Sequence, residues 1–472
     1  MKRTTRRKFL AATGKAVSVT VLGSMLLDPR LAFGATTYVR RNLAGMDASD
    51  PILVSYRKAI KAMQLLPQNK PLSWAYQAAI HGTTITPVLT AWNTCEHGTE
   101  FFWSWHRMYL YWFERIIRKM GDDPCWALPY WNWAPGSDFH LPSPFRDPAS
   151  ELYTVNRNTN MNNGTGALNP GAVSVGNSTT GSFSLTDFFA TNINIQGPHG
   201  SVHTETGGWM FSPDTAAQDP VFYVHHSNVD RLWDLWLAQG GRSDPVLDAT
   251  WTGKTYTFFD EHGNPVKMSA CEILRAAQQL HYVYEGEPPQ LLEYCRRRPP
   301  FPWWLYEEVV LFQVPGPPVE LKGETVSVPI ELKEMIGKLR GVLESKTDRL
   351  LLKVDGVQAE EQPGVAWAVY VGPPGAVEED VKSPAYVGTL SLFGSGVRGE
   401  KHHEFRPAHF VYPLNRAVEA VLEANAERLQ ITFVPLGIVV DGKPRRPEVK
   451  STVRIGKMSL VIERATEAKE PD

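Results

Sequence analysis

Apolar positions recur at helical spacing between residues 50 and 64, as Ile52, Leu53, Tyr56, Ile60 and Met63 behind Asp50-Pro51. That order predicts an amphipathic helix with Asp50 as N-cap and Pro51 in the first turn. Phe101 to Met120 is apolar on nearly every side, as a buried helix is. Asp219-Pro220 opens a third helical pattern through Val224, Val229, Leu232 and Leu235. From Asn156 to Gly181 the chain is rich in Asn, Gly, Thr and Ser and has no period, which predicts a long surface loop. Beyond the linker-like Arg296-Arg297-Arg298-Pro299-Pro300 the period shifts toward two, in Val326–Leu332, Ala366–Val371, Tyr386–Leu392, Leu429–Phe433 and Val453–Ile455. Strands at that density predict a β-sandwich, interrupted by one helix from Leu414 to Arg428. The expected fold is therefore a mainly α-helical bundle followed by a C-terminal β-sandwich domain.

The first 35 residues are expected to be an address rather than part of the fold. Thr5-Arg6-Arg7-Lys8-Phe9-Leu10 puts a twin-arginine pair before an apolar stretch from Ala16 to Leu27, and Ala32-Phe33-Gly34-Ala35 offers small residues for cleavage. The stretch falls short of the roughly 20 residues that cross a bilayer. The expectation is export by the twin-arginine route to the periplasm or outside, with no membrane partner afterwards. The remaining chain divides into 36–240, a segment 241–300 packed on it, and 301–472. A net charge of −2 on 472 residues gives no basic field, so nucleic acid is not an expected partner. Four cysteines cannot make a disulfide framework in so long a chain; a Cys271–Cys295 bridge is permitted outside the cytoplasm.

Histidine changes the picture, since eight of the 13 fall between His81 and His226. His199 and His203 are four apart, which puts both imidazoles on one helix face, suited to one metal ion. His225 and His226 diverge by about 100° on their helix, so one of the two can point at that centre. His81, His97 and His106 form a second group, with His106 among aromatics on the Phe101–Met120 helix. Each alone reads as a core histidine. Two sets of three without interposed carboxylate motifs read as metal ligands, and an all-imidazole set favours copper among the first-row ions.

These stretches resemble the tyrosinase and polyphenol oxidase family of dinuclear copper proteins, which includes the catechol oxidases and the haemocyanins. The matching residues are Arg40-Arg41, Tyr56–Met63, Phe102–Arg115, Leu128-Pro-Tyr-Trp-Asn-Trp133, His199–His203 and Asp219–Trp233, with Asp248–Trp251, Phe258–Asp260 and Leu280–Tyr284 similar to the segment that follows the copper domain in plant members. The resemblance implies that 36–240 is a dicopper catalytic domain. It implies two copper ions, one held by His81, His97 and His106 and the other by His199, His203 and His226, with His225 a neighbour. It implies a thioether between Cys95 and His97. Asp230, four residues after His226 and so on the same helix face, is expected to support the ligands from behind, paired with Arg40 or Arg41. His140, His262, His281, His402, His403 and His409 match nothing and are expected to be structural or surface residues.

The implied activity is a copper oxidoreductase that uses O2 to oxidise catechols to o-quinones, with hydroxylation of monophenols left open. Its implied partners are O2 and a small phenol, and no copper donor or chaperone is named. Members that hydroxylate monophenols carry Asn after the first ligand of the second copper and a Glu upstream; here those positions are Gly200 and Ile195. That tilts the expectation toward catechol oxidation, unless Glu205 or Asp219 substitutes as base. Gly207–Pro213 is expected to overhang the second copper, and the C-terminal domain to cover the site and keep it latent. The rival readings are a haemocyanin-like oxygen carrier and a di-zinc hydrolase.

Overall fold

The computed structural model describes residues 37–133, 137–287, 304–345, 348–375, 381–398, 405–445 and 447–467. The expected export signal, the expected linker at residues 296–302, Cys295, His402 and His403 lie outside the described residues. Helix α1 (Pro51–Gln64) starts as its sequence predicts, with the Asp50 carboxylate accepting from Ile52 N. Helix α2 (Trp74–His81) is short and capped by Ser73. Helix α3 (Phe102–Gly121) is buried along most of its length and stops at Asp122, which takes a left-handed conformation. Helices α4 (Phe188–Asn194) and α5 (Gln196–Thr206) follow, and α6 (Val221–Ala238) begins where the Asp219 carboxylate accepts from Val221 N. One apolar core joins these helices, running from Leu43 to Tyr284 and including Phe393 from far along the chain.

The C-terminal part holds two four-stranded antiparallel sheets. Their strands are β1 (Trp304–Gln313), β2 (Val326–Glu331), β3 (Arg349–Val357), β4 (Ala366–Gly372), β5 (Tyr386–Leu390), β6 (Ala408–Pro413), β7 (Arg428–Leu436) and β8 (Lys457–Glu467). One sheet has the order β5-β4-β7-β2 and the other β6-β3-β8-β1. Register in the first is set by pairs such as Val369 with Phe433 and Ile431 with Val328. Leu350, Leu352 and Val354 from one sheet and Trp367, Val369 and Phe433 from the other share a single core, so the period-two stretches do build a sandwich. Helices Ile336–Glu344 and Asn415–Glu423 cover it. The second ends five residues before Arg428, because Asn425 turns left-handed and Arg428 already begins β7.

The Asn156–Gly181 expectation is corrected. This segment contains a short helix, Thr159–Asn163, and a strand, Gly166–Ala167, and buries Leu168, Ala172, Val173 and Val175. It is polar because it is a dock. Gly166–Ala167 pairs with Val439–Val440 of the C-terminal part, and Asn169 Nδ2 donates to Gly437 O at 2.9 Å. Cys271 is disulfide-bonded, while Cys95 (buried) and Cys125 (exposed) are in no disulfide among the described residues. No helix among the described residues is long and apolar enough to cross a membrane.

Candidate metal centre

Five segments bring the histidines together. His81 is the last residue of α2, His97 lies in the loop that follows, and His106 is in the second turn of α3. His199 and His203 lie one turn apart on α5, and His226 is on α6. His81, His106, His199, His203 and His226 are 2% exposed or less, and His97 is 9% exposed. Ring centroids within the first group are 5.1 Å (His81 to His97), 5.7 Å (His81 to His106) and 5.2 Å (His97 to His106) apart. In the second they are 4.7 Å (His199 to His203), 4.9 Å (His199 to His226) and 5.4 Å (His203 to His226) apart. His106 and His226 stack at 4.3 Å, so the two groups meet face to face.

Hydrogen bonds fix which nitrogen faces inward. The Nδ1–H groups of His81, His106 and His203 donate to the carbonyls of Pro213, Phe102 and Met210 at 2.9, 2.8 and 2.9 Å. That tautomer leaves each Nε2 with a lone pair and no proton. His226 Nε2 then lies 3.3 Å from His199 Nε2 and 3.2 Å from His203 Nε2, and His106 Nε2 is buried with no hydrogen-bond partner. His106 Nε2 is thus a buried acceptor with no donor, which is costly unless a cation binds it. Burial drives His106 down to about 3 and holds His199, His203 and His226 well below the ordinary imidazole range, with neighbouring histidines adding to the effect on these three. All four are therefore neutral and ready to bind a metal at physiological pH. Ligand-type atoms gather within 4.8 Å of one another in three sets: His199, His203, His225 and His226; His81, His106 and His226; and His81, Cys95 and His97. No carboxylate joins these sets among the described residues. The donor chemistry fits two soft-to-borderline ions such as copper and does not resemble a carboxylate-bridged site.

His225 is inside the cluster but committed elsewhere: its Nδ1 accepts from the Trp133 indole N–H at 2.9 Å. Cys95 Sγ lies 3.1 Å from His97 Nδ1, which puts the thiol beside the ring. Phe102 and Phe222 wall the centre, with ring centroids 4.7 Å from His199 and 4.3 Å from His226.

Phe393, whose role the pattern along the chain does not reveal, comes from the C-terminal part and closes the centre. Its ring stacks on His203 at 3.8 Å and stands edge-on to His97 at 5.4 Å and His199 at 5.6 Å, and it is 2% exposed. The expected overhang by Gly207–Pro213 is corrected accordingly. That segment supports His203 from behind, through Met210 O, while Phe393 covers the ring face.

Neither substitute base is available. Asp219 is held bidentately by Arg157 at 2.7 and 2.7 Å and caps α6. Glu205 is two residues beyond His203, hence on the other side of α5, and its Oε2 accepts from Asn169 N at 2.7 Å. Burial pushes its carboxyl up to about 8.

Behind the centre, Asp230 ties α3 to α6. It accepts from Arg40 NH1 at 3.0 Å, from Arg107 Nε, and from the Tyr282 and Tyr284 hydroxyls at 2.6 Å each. Arg107 follows His106 in the chain, and Asp230 is one turn past His226, so this ion pair sets the spacing of two facing imidazoles. Arg41 pairs with Asp50 instead. Burial works to raise Asp230, but the Arg107 and Arg40 guanidinium groups hold it below the ordinary carboxylate range. His140 and His262 are exposed beside Asp138 and Lys119, and His281 and His409 lie outside the cluster.

Residues 71–191 and 144–239 match the common central domain of tyrosinase, and residues 246–299 match the polyphenol oxidase middle domain. The chain is 35% identical over 295 residues to the tyrosinase HcTyr1 of Hahella sp. (strain CCB-MM4), covering 50% of this chain and 61% of that protein. It is 30% identical over 292 residues to the latent-form chloroplastic polyphenol oxidase of Prunus armeniaca, covering 52% and 48%. The chain thus spans about half to three fifths of the length of these curated relatives. Latent apple tyrosinase shares the fold, with a TM-score of 0.63 over 92% of this chain and 98% of that one at 22% identity. The helical part that carries the histidines thus matches the common central domain of tyrosinase, with the polyphenol oxidase middle domain directly after it.

Proposed function

We propose that the chain is a dinuclear copper phenol oxidase that uses O2 to oxidise o-diphenols to o-quinones. His81, His97 and His106 would hold one ion and His199, His203 and His226 the other. The observation that carries this reading is the convergence of buried neutral imidazoles in two facing groups, with no carboxylate among them. Copper bound there supplies two-electron chemistry between dioxygen and a phenol. The chain's own residues do the rest. Backbone carbonyls fix the tautomers of His81, His106 and His203, Phe102 and Phe222 exclude water, and the Arg107–Asp230 pair sets the helix spacing. A thioether between Cys95 and His97 would clamp a ring that sits in a loop rather than a helix; the 3.1 Å approach of Sγ to the imidazole supports it.

Substrate scope follows from what the mouth lacks. Ile195 and Gly200 offer no proton acceptor, and Asp219 and Glu205 are engaged elsewhere. A lone phenol is less acidic than a catechol and depends more on a positioned base to lose its proton, so catechols are the favoured substrates and monophenol hydroxylation a minor activity. Phe393 occupies the face of His203 that a substrate ring would need, which supports latency of the uncleaved chain. The same closure favours the second reading, an oxygen carrier, because a dissolved gas needs less room than a phenol. Residues 1–35 support export by the twin-arginine route, which carries folded, cofactor-loaded proteins.

Oxygen uptake by copper-loaded protein, trimmed by protease near residues 299–302, tests the proposal. Rapid uptake with catechol and little with a tyrosine-like monophenol is expected. No uptake with either phenol, from protein that still binds oxygen reversibly, would identify a carrier.

A further inference from the structure

The segment that carries Phe393 rests on the helical part at places where no side chain intervenes. On α5, a Cβ added to Gly200 would stand 2.6 Å from Ser391 Oγ and 3.0 Å from Phe393 Cβ. One added to Gly197, almost a turn earlier, would run into the Thr389 carbonyl. At the other half of the centre, Gly98 follows His97 with φ +68°, and a Cβ there would meet Ser395 Cβ at 2.8 Å. The closeness is reciprocal. Gly394, at φ +75°, lays its backbone against the His97 imidazole, where a side chain would overlap the ring.

Glycine weakens a helix interior relative to alanine, so two of them three residues apart on α5 need a packing reason. The nearest atoms that added Cβ atoms would meet at both positions belong to Thr389, Ser391 and Phe393. Ser391 is 4% exposed and its hydroxyl has no hydrogen-bond partner, so fit rather than polar pairing places it.

We propose that Gly98, Gly197 and Gly200 form a seat, built at backbone level, for the cover segment Thr389–Ser395. Within it, Gly200 is the position at which closure of the cover and the width of the phenol slot are set together. Position 200 follows the ligand His199 and faces Phe393 Cβ, so the volume over it belongs to the cover when closed and to the substrate ring when open. A side chain there would lift the cover and narrow the slot in one change. This inference rests on the reading of the C-terminal part as a cover.

Hydrogen exchange of the Thr389–Gly396 amides in the full-length, copper-loaded chain tests the seat, alongside catechol turnover of the same uncleaved protein. Gly200→Ala and Ser391→Leu should each speed exchange by about tenfold or more, the first from the helix side and the second from the cover side. Gly200→Ala with Ser391→Gly should return exchange to within about threefold of the parent. Turnover of the uncleaved variants should rise and fall in the same order. Trimmed Gly200→Ala should raise KM for 4-tert-butylcatechol more than for catechol; an equal rise would overturn the slot half of the proposal. Unchanged exchange in both single variants would overturn the seat. Faster exchange in an enzyme whose uncleaved parent already matches its trimmed form would support the seat and refute latency.

Discussion

At the scale of single residues, function rests on which ring nitrogens are left facing inward. His226 belongs to two of the three close sets, so His226→Ala should cost the second copper and weaken binding of the first, whereas His225→Ala, which loses the Trp133 bond, should keep both. Metal analysis of the two purified variants checks this. The buried imidazoles also set the acid stability of the copper-free chain. His106, at about 3 when folded, binds its proton more readily when unfolded, near 6.5, so the unfolded state gains protons as pH falls between those values. The His106 contribution to stability of the copper-free protein should therefore rise with pH from about 3 to 6.5 and level off above, while Glu205, raised to about 8, contributes in the opposite sense as pH rises. The difference in urea midpoint between the parent and His106→Gln isolates the first; a difference that stays flat across that window would count against burial of a neutral ring. The His199/His203 spacing and the His225-His226 pair were legible because helical geometry turns spacing into direction. Phe393 was not, because nothing local marks a phenylalanine that will fill a distant centre.

At the scale of elements, buried charge holds the histidine-bearing helices α3 and α6 together. Asp230→Ala would remove the carboxylate that Arg40 and Arg107 share, leaving Arg40 to Glu114 and Arg107 to Asp234, a loss of up to about 3–5 kcal/mol. Denaturant unfolding measures it, and an effect under about 1 kcal/mol would mean that the pair is not structural. Helices α1, α3 and α6 could be read from periodicity because each carries a long apolar pattern and two have a clear acidic start. Helix α2, which supplies His81, has eight residues buried nearly all round, too short and too uniform for a period to show. Strands β4 and β7 were legible from their β-branched and aromatic runs. The Asn156–Gly181 dock was misread because a polar segment that hydrogen-bonds a neighbouring domain has the composition of one that faces water.

At the scale of the whole molecule, the C-terminal sandwich is fastened to the helical part at several separate places. Val439–Val440 extends Gly166–Ala167, the Tyr386 hydroxyl donates to Ser174 O at 3.3 Å, and Phe393 plugs the centre. Removing the plug alone should loosen closure without detaching the domain. Phe393→Ala forfeits about 3 kcal/mol of packing, enough to shift a closed-to-open balance about a hundredfold. Catechol turnover by the uncleaved variant should rise toward that of trimmed protein; no rise would mean that other contacts block access. The whole account depends on the metal content of the centre. Titration of the metal-free chain with copper under anaerobic conditions, followed by separation and metal analysis, tests it most directly. Saturation at two copper ions per chain is expected, falling to one or fewer when His106 or His226 is replaced; saturation at one ion or none in the unaltered chain would contradict it.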